Sequence, residues 1–252
     1  MKRVRRALGV AFGYFSILPV QREALLPAPD AAALAALPLV GASIGALSGL
    51  SAWIVSLIVP RPFVIATAFG APIVLSGAIH LDGFLDCSDA VFATASVERR
   101  LEIMKDPRHG TYAVAAAMLA SAFSLAALAT CRPSKLPAIL AFSGALARLA
   151  AVANALRFPY GRAGVASRAF ESKPPLTALI LEAGALIVLA NSIGPGVWAL
   201  IPASLVASSI VARRAASRLG AGLTGDVYGF LVFALEPAII AFAAGMARKP
   251  RT

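Results

Sequence analysis

Seven stretches of this chain have the length of a membrane-crossing helix and almost no charge: 37–59, 63–80, 111–130, 136–156, 176–192, 196–212 and 228–246. A hydrocarbon core about 30 Å thick takes roughly 17 to 25 mostly apolar residues per helix, so each window is long enough to cross. Backbone amides find no water in lipid and must bond within their own helix or within a closed barrel. The windows are rich in Ala, Leu, Val and Ile without polar alternation, which points to helices and excludes an outer-membrane barrel. Composition agrees: 59% of the residues are hydrophobic and 14% charged, where a soluble domain carries about 25% charged residues. The expected fold is therefore all-α, a polytopic helical bundle forming a single integral membrane domain over residues 1–252. Small residues, as in LVGASIGALSGL (39–50), let helix backbones approach closely where lipid supplies no hydrophobic drive between helices.

The formal charge is +11, yet the basic residues form no stripe interleaved with aromatics, so nucleic acid is not expected as a partner. They fall between the apolar windows, which marks those segments as cytoplasmic. Lys2, Arg3, Arg5 and Arg6 place the N-terminus there, and Arg99, Arg100, Lys105 and Arg108 place the segment 81–110. Arg157, Arg162, Arg168 and Lys173 do the same for 157–175, and Arg213, Arg214 and Arg218 for 213–227. Alternate loops come out cytoplasmic. Seven spans would put the C-terminus outside, although it carries Arg248, Lys249 and Arg251. An even count, six or eight, follows if 7–20 spans, if 31–59 is a re-entrant pair, or if 228–246, with Glu236 and Pro237, does not cross fully. The basic start followed by ALGVAFGYFSILPV (7–20) has the outline of a signal peptide, but no convincing small-residue cleavage site follows. Pro19 with Gln21, Arg22 and Glu23 reads instead as an interfacial helix running into a loop. Cys87 and Cys131 lie far apart on opposite expected sides, which disfavours a disulfide or a zinc site, and His80 and His109 are too few for a histidine metal site.

Polar chemistry concentrates in the cytoplasmic segments. In LDGFLDCSDA (81–90), Asp82, Asp86 and Asp89 fall within an arc of about 60° on a helix, so their carboxylates point the same way. Their repulsion asks for a cation. A hard ion such as Mg²⁺ takes oxygen ligands, commonly one or two carboxylates plus substrate phosphates, and suits this set. A solvated helix end with Arg99, Arg100 or Lys105 as counter-charges is the alternative. The following ERRLEIMKDPRHGTYA (98–113) starts helical and should stop near Asp106, because a residue before proline disfavours the α region. Glu98, Glu102 and Asp106 would form a second acidic edge. Arg108, Gly110 and Thr111 then stand where a new helix begins, a place suited to a phosphate or simply to a helix cap. Arg148, inside an expected span, is costly unless it faces a polar cavity. In RLGAGLTGDVYGF (218–230), Asp226 beside Thr224 stands among four glycines.

Taken together, HLDGFLDCSDA (80–90), RRLEIMKDPRHGTYA (99–113), RFPYGRAGVASRAF (157–170) and GAGLTGDVYGF (220–230) resemble the cobalamin 5′-phosphate synthase family, the adenosylcobinamide-GDP ribazoletransferases. The openings FSILPV (15–20) and PLVGASIG (38–45) also resemble that family's N-terminal pattern, whereas Ala221 and Phe230 depart from its last motif. The resemblance implies a Mg²⁺-dependent enzyme of the bacterial or archaeal inner membrane. Its substrates would be adenosylcobinamide-GDP and α-ribazole or α-ribazole 5′-phosphate, its product the cobalamin phosphodiester, and GMP would leave. Asp82, Asp86 and Asp89 would hold the metal and the diphosphate, and Glu102 or Asp106 would complete the site or act as general base. Arg108, Thr111 and Arg148 would contact phosphate, and Asp226 a second metal or guanine. Membrane lipid is the surrounding partner, the active site faces the cytoplasm, and a homo-oligomer stays open. Two other readings remain: a CDP-alcohol phosphotransferase, which would carry an alanine-arginine pair after its Asp-Gly where this chain has Leu85 and Asp86, and a cation transporter, whose acids should sit near the midplane.

Overall fold

The computed structural model describes residues 2–19, 29–161, 172–220 and 222–247. The helices are α1 (Lys2–Phe15), α2 (Ala31–Ala35), α3 (Leu37–Val55), α4 (Arg61–Leu75), α5 (Ile79–Phe92), α6 (Val97–Ile103), α7 (Thr111–Thr130), α8 (Leu136–Ala153), α9 (Leu176–Ile193), α10 (Leu200–Leu219) and α11 (Gly225–Met246). Among the described residues the pairing of β type is one isolated bridge, Tyr160 with Leu223. Six helices, α3 and α7 to α11, are long and apolar enough to cross a membrane, and α4 with α5 form a bent pair that raises the number to seven. The all-α polytopic class read from hydropathy is the class observed.

At the centre stands α8, whose spanning segment is 83% buried, against 22% for α7 and α9. Its main partner is α3, and small residues make the contact. A Cβ at Gly41, Gly45 or Gly49 would collide with the backbone of Gly144, Leu140 and Leu136 in turn, so the two helices run antiparallel at backbone contact. In lipid such close approach is a principal source of helix association. α1 buries Val10 and Ala11 against Val40 and Ile44 of α3.

Two ends of the bundle are defined by what meets there. At one, Arg61 donates to the carbonyls of Leu128, Ala129 and Cys131, Lys135 Nζ reaches Ser192 O at 3.0 Å, and Gly194 packs on Met246 and Ala247. At the other, α5, α6 and the start of α7 gather with the end of α10 and the start of α11. There Arg100, 8% exposed, donates to Ala93 O at the end of α5 and to Arg218 O in the last turn of α10. One guanidinium thereby satisfies terminal carbonyls of two helices. α11 runs unbroken through Pro237 from this acidic end to the far one, so 228–246 lies on one continuous helix long and apolar enough to cross. The basic tail residues Arg248, Lys249 and Arg251 lie outside the described residues, as do Gln21, Arg22 and Glu23, Ala221, and most of the third loop, including Arg162 and Arg168.

The sequence window 63–80 is not one straight span. α4 ends at Leu75, Gly77 (φ +62°) and Ala78 (φ +58°) take left-handed conformations, and α5 departs at 88°. For alanine that conformation costs about 1–2 kcal/mol, offset by what α5 gains on its new course. Gly83 of α5 lies against the Asp226 backbone, where a Cβ would come within 2.9 Å of Asp226 O. Phe84 stacks on Phe230 with centroids 5.2 Å apart and tilts against Phe233 at 5.0 Å, so both rings are part of the packing that holds α5. At 14 residues, or about 21 Å, α5 is too short to span, and it lies across the acidic end. Replacing Gly45 by valine should force α3 from α8 and lower the thermal unfolding midpoint in detergent. Gly70→Val, where a Cβ meets nothing within 4 Å, should leave it unchanged.

Candidate active site

The aspartates of α5 divide between two tasks. Asp82 and Asp86 join His109, with one potential ligand atom from each all within 4.8 Å of one another. His109 Nδ1 stands 3.6 Å from Asp86 Oδ1. One turn further on, Asp89 is buried, and its carboxylate accepts from the backbone N–H groups of Gly110 and Ala113, the latter at 2.9 Å. These are donors at the N-terminus of α7, whose amides lack partners within their own helix and favour negative charge. Asp89 therefore fastens the segment carrying His109 to the helix carrying Asp82 and Asp86. Gly110 is needed at this junction, since a Cβ there would press within 2.9 Å of Asp89 Oδ1.

Charge converges on Asp86. Partial burial, then the carboxylates of Asp82 and Asp226, push its carboxyl up to about 6, against the opposing influence of His109. A like-charge cluster with a raised carboxyl is the electrostatic setting in which a cation stabilises most. Asp226 occupies the first turn of α11, whose N-cap Thr224 accepts from Val227 N. The start of the third loop is tied to this turn: Leu223 N donates to Pro159 O at 3.0 Å, Gly161 N to Leu223 O at 2.9 Å, and Gly225 N to the Tyr160 hydroxyl at 3.3 Å.

Beside this cluster opens a cleft of about 310 Å³ between α6 and α7, lined among others by Arg99, Glu102, Asp106, Arg108, Thr111 and Tyr112. That volume is at the lower end for small-molecule sites. α6 stops at Ile103, and Asp106 follows in the connection instead of continuing a face with Glu98 and Glu102. Glu102 pairs with Arg99 at 2.7 Å. Asp106 accepts from the backbone and guanidinium of Arg108, which holds its carboxyl down at about 2. A carboxylate that acidic is a weak proton acceptor.

Arg148 is elsewhere. It is 3% exposed inside the bundle, where Nη1 donates to Glu236 Oε1 at 2.7 Å and to Gly144 O at 2.9 Å. The pair lines a cavity of about 50 Å³ with His80, Ser76, Ser124 and Ser143. The structure thus brings Asp82, Asp86 and Asp226 to one place and Glu102, Asp106, Arg108 and Thr111 to the adjoining cleft. Asp89 serves as a helix cap, and Arg148 is engaged with Glu236. Sequence reasoning passed over His109, whose signal is its place in the same segment as Asp106, Arg108 and Gly110.

Compared with known proteins, residues 7–244 match the cobalamin-5-phosphate synthase family. The chain belongs to that family. Relatives named adenosylcobinamide-GDP ribazoletransferase include those of Deinococcus radiodurans, 32% identical over 96% of this chain and 86% of the relative, and of Syntrophobacter fumaroxidans, 37% identical over 88% and 90%. The one from Pseudomonas aeruginosa PAO1 is 35% identical over 95% and 98%. No solved structure matches. For this member of the synthase family, Asp89→Ala should cost about 1–2 kcal/mol through the lost cap and lower the unfolding midpoint in metal-free detergent buffer. Asp82→Ala, which removes a carboxylate repelling Asp86, should leave it unchanged or raise it.

Proposed function

We propose that this chain is an adenosylcobinamide-GDP ribazoletransferase acting at the end of cobalamin nucleotide-loop assembly. It joins adenosylcobinamide-GDP to α-ribazole, or to α-ribazole 5′-phosphate, and releases GMP. The observation that carries this reading is the convergence of Asp82, Asp86 and Asp226 beside a cleft edged by Arg99 and Arg108, in a chain of the cobalamin-5-phosphate synthase family. Membership alone names a reaction; the cluster and cleft offer a place for its pyrophosphate.

The reaction forms a bond from a ribazole hydroxyl oxygen to the cobinamide-side phosphorus and breaks the bond from that phosphorus to GMP. Both phosphoryl groups are anionic, so an acidic cluster can serve only with a cation between. The donor set fits one: Asp82 and Asp86 would hold Mg²⁺, which when bound supplies charge neutralisation on the pyrophosphate. Arg108, oriented by Asp106, presents its guanidinium to the phosphates, with Arg99 on the other wall of the cleft. The exposed ring of Tyr112 offers a face to guanine. Of the two proton acceptors suggested by sequence, Asp106 is held down at about 2 by Arg108, and the proton is assigned to Glu102, paired with Arg99 in the same cleft. The hydroxyl proton passes to that carboxylate and GMP leaves as its anion. The chain sits in the bacterial inner membrane with its acidic end toward the cytoplasm, where nucleotide substrates are found.

Purified protein in detergent should release GMP from adenosylcobinamide-GDP in the presence of α-ribazole and Mg²⁺. Asp82→Asn and Asp86→Asn should each lower the rate by about 10²-fold or more, a loss comparable to removing one main electrostatic contact to a transition state. Release that needs no divalent ion, or survives both changes, contradicts the assignment. CMP release from a CDP-activated alcohol instead would point to the phosphotransferase reading.

A further inference from the structure

We infer that His109 is a nitrogen ligand of the metal held by Asp82 and Asp86, which makes the site a mixed oxygen–nitrogen one that favours Mn²⁺ over Mg²⁺. This rests on the reading that the acidic cluster binds a divalent ion, and it adds which donors complete the set and which ion they prefer.

The geometry supports it. Ligand atoms around one ion at about 2.1 Å stand no more than about 4.2 Å apart. Asp82, Asp86 and His109 already offer atoms within 4.8 Å of one another, with His109 Nδ1 and Asp86 Oδ1 at 3.6 Å. Closing on an ion takes side-chain shifts of a few tenths of an ångström. The imidazole is also held from behind. Gly110, the next residue, donates its N–H to Asp89, and Ala113 donates to the same carboxylate, so the backbone at 109–110 is anchored one helical turn from Asp86.

Donor chemistry then sets the preference. Carboxylate oxygens suit Mg²⁺ and Mn²⁺ alike, whereas an imidazole nitrogen adds affinity for the first-row transition metals, of which Mn²⁺ is the one that also suits carboxylates. A histidine that only formed an ion pair with Asp86 would act differently, because a bound cation would displace it.

The test uses Mn²⁺ as the probe on the full-length protein in detergent. Pulsed electron paramagnetic resonance should show ¹⁴N coupling on bound Mn²⁺ in the wild type and none in His109→Ala. By titration, His109→Ala should weaken Mn²⁺ binding about tenfold or more, since even second-shell changes cost 10- to 100-fold, and should weaken Mg²⁺ binding less. His109 is exposed, so both this change and His109→Asn should leave the unfolding midpoint unchanged in metal-free buffer. Mn²⁺ binding that is lost in Asp82→Asn but shows no ¹⁴N coupling and is unaltered in His109→Ala overturns this inference and leaves the metal reading standing. Failure of the wild type to bind Mn²⁺ or Mg²⁺ overturns both.

Discussion

Asp89 sits where two requirements of a membrane helix bundle meet. The first turn of α7 carries backbone amides with no partner in their own helix, and burial makes leaving them unpaired costly. Its carboxylate accepts two of them, from Gly110 and Ala113. Because Asp89 belongs to α5, this capping also fixes the distance between α5 and the 104–110 connection. Asp82 and Asp86 stand on one side of that tie, His109 on the other, and the cleft edged by Arg108 and Thr111 opens beside it. A contact whose local task is structural therefore sets the spacing of the groups meant for chemistry.

That tie works only because α5 lies across the bundle. A helix continuing straight from α4 would carry Asp82, Asp86 and Asp89 away from the Asp226 turn and the amides that open α7. The left-handed Gly77 and Ala78 turn the chain by 88°, and the missing side chain at Gly83 lets α5 rest on the Asp226 backbone. Glycine thus serves both ends of the problem. Gly41, Gly45 and Gly49 bring α3 onto the buried α8, and Gly83 brings the acidic helix onto α11. Within the bundle, Arg148 and Glu236 neutralise each other at 2.7 Å. A buried pair of this kind is weak evidence for net stability, yet losing one partner would strand the other charge.

Hydropathy made the helical class and the position of six of the seven windows plain, because lipid leaves a long apolar segment few other choices. The start of α7 after Gly110 was equally legible, from a proline, a glycine and the return of apolar residues. The bend was not: SGA at 76–78 sits inside a continuous apolar run, and only packing against α11 shows why it turns. Spacing placed three aspartates on one face, but whether each meets a metal, an amide or solvent depends on the neighbouring helix, which is invisible in one-dimensional periodicity. Arg148 was correctly marked as needing a polar environment, while Glu236, 88 residues away, could not be named as its partner. His109 was not legible because two histidines are too few for a site of their own, and its place beside carboxylates of another helix exists only once α5 lies against the start of α7.

Where a divalent ion binds decides whether Asp82 and Asp86 or some other acidic group holds it. An experimental structure of the protein with Mn²⁺, by anomalous diffraction or cryo-electron microscopy, locates it directly. The predicted result is density between α5 and the connection to α7, within bonding distance of Asp82 and Asp86, with Asp89 still bound to the Gly110 and Ala113 amides. Density centred on Asp89 with α7 uncapped, or in the interior beside Arg148 and Glu236, would contradict it.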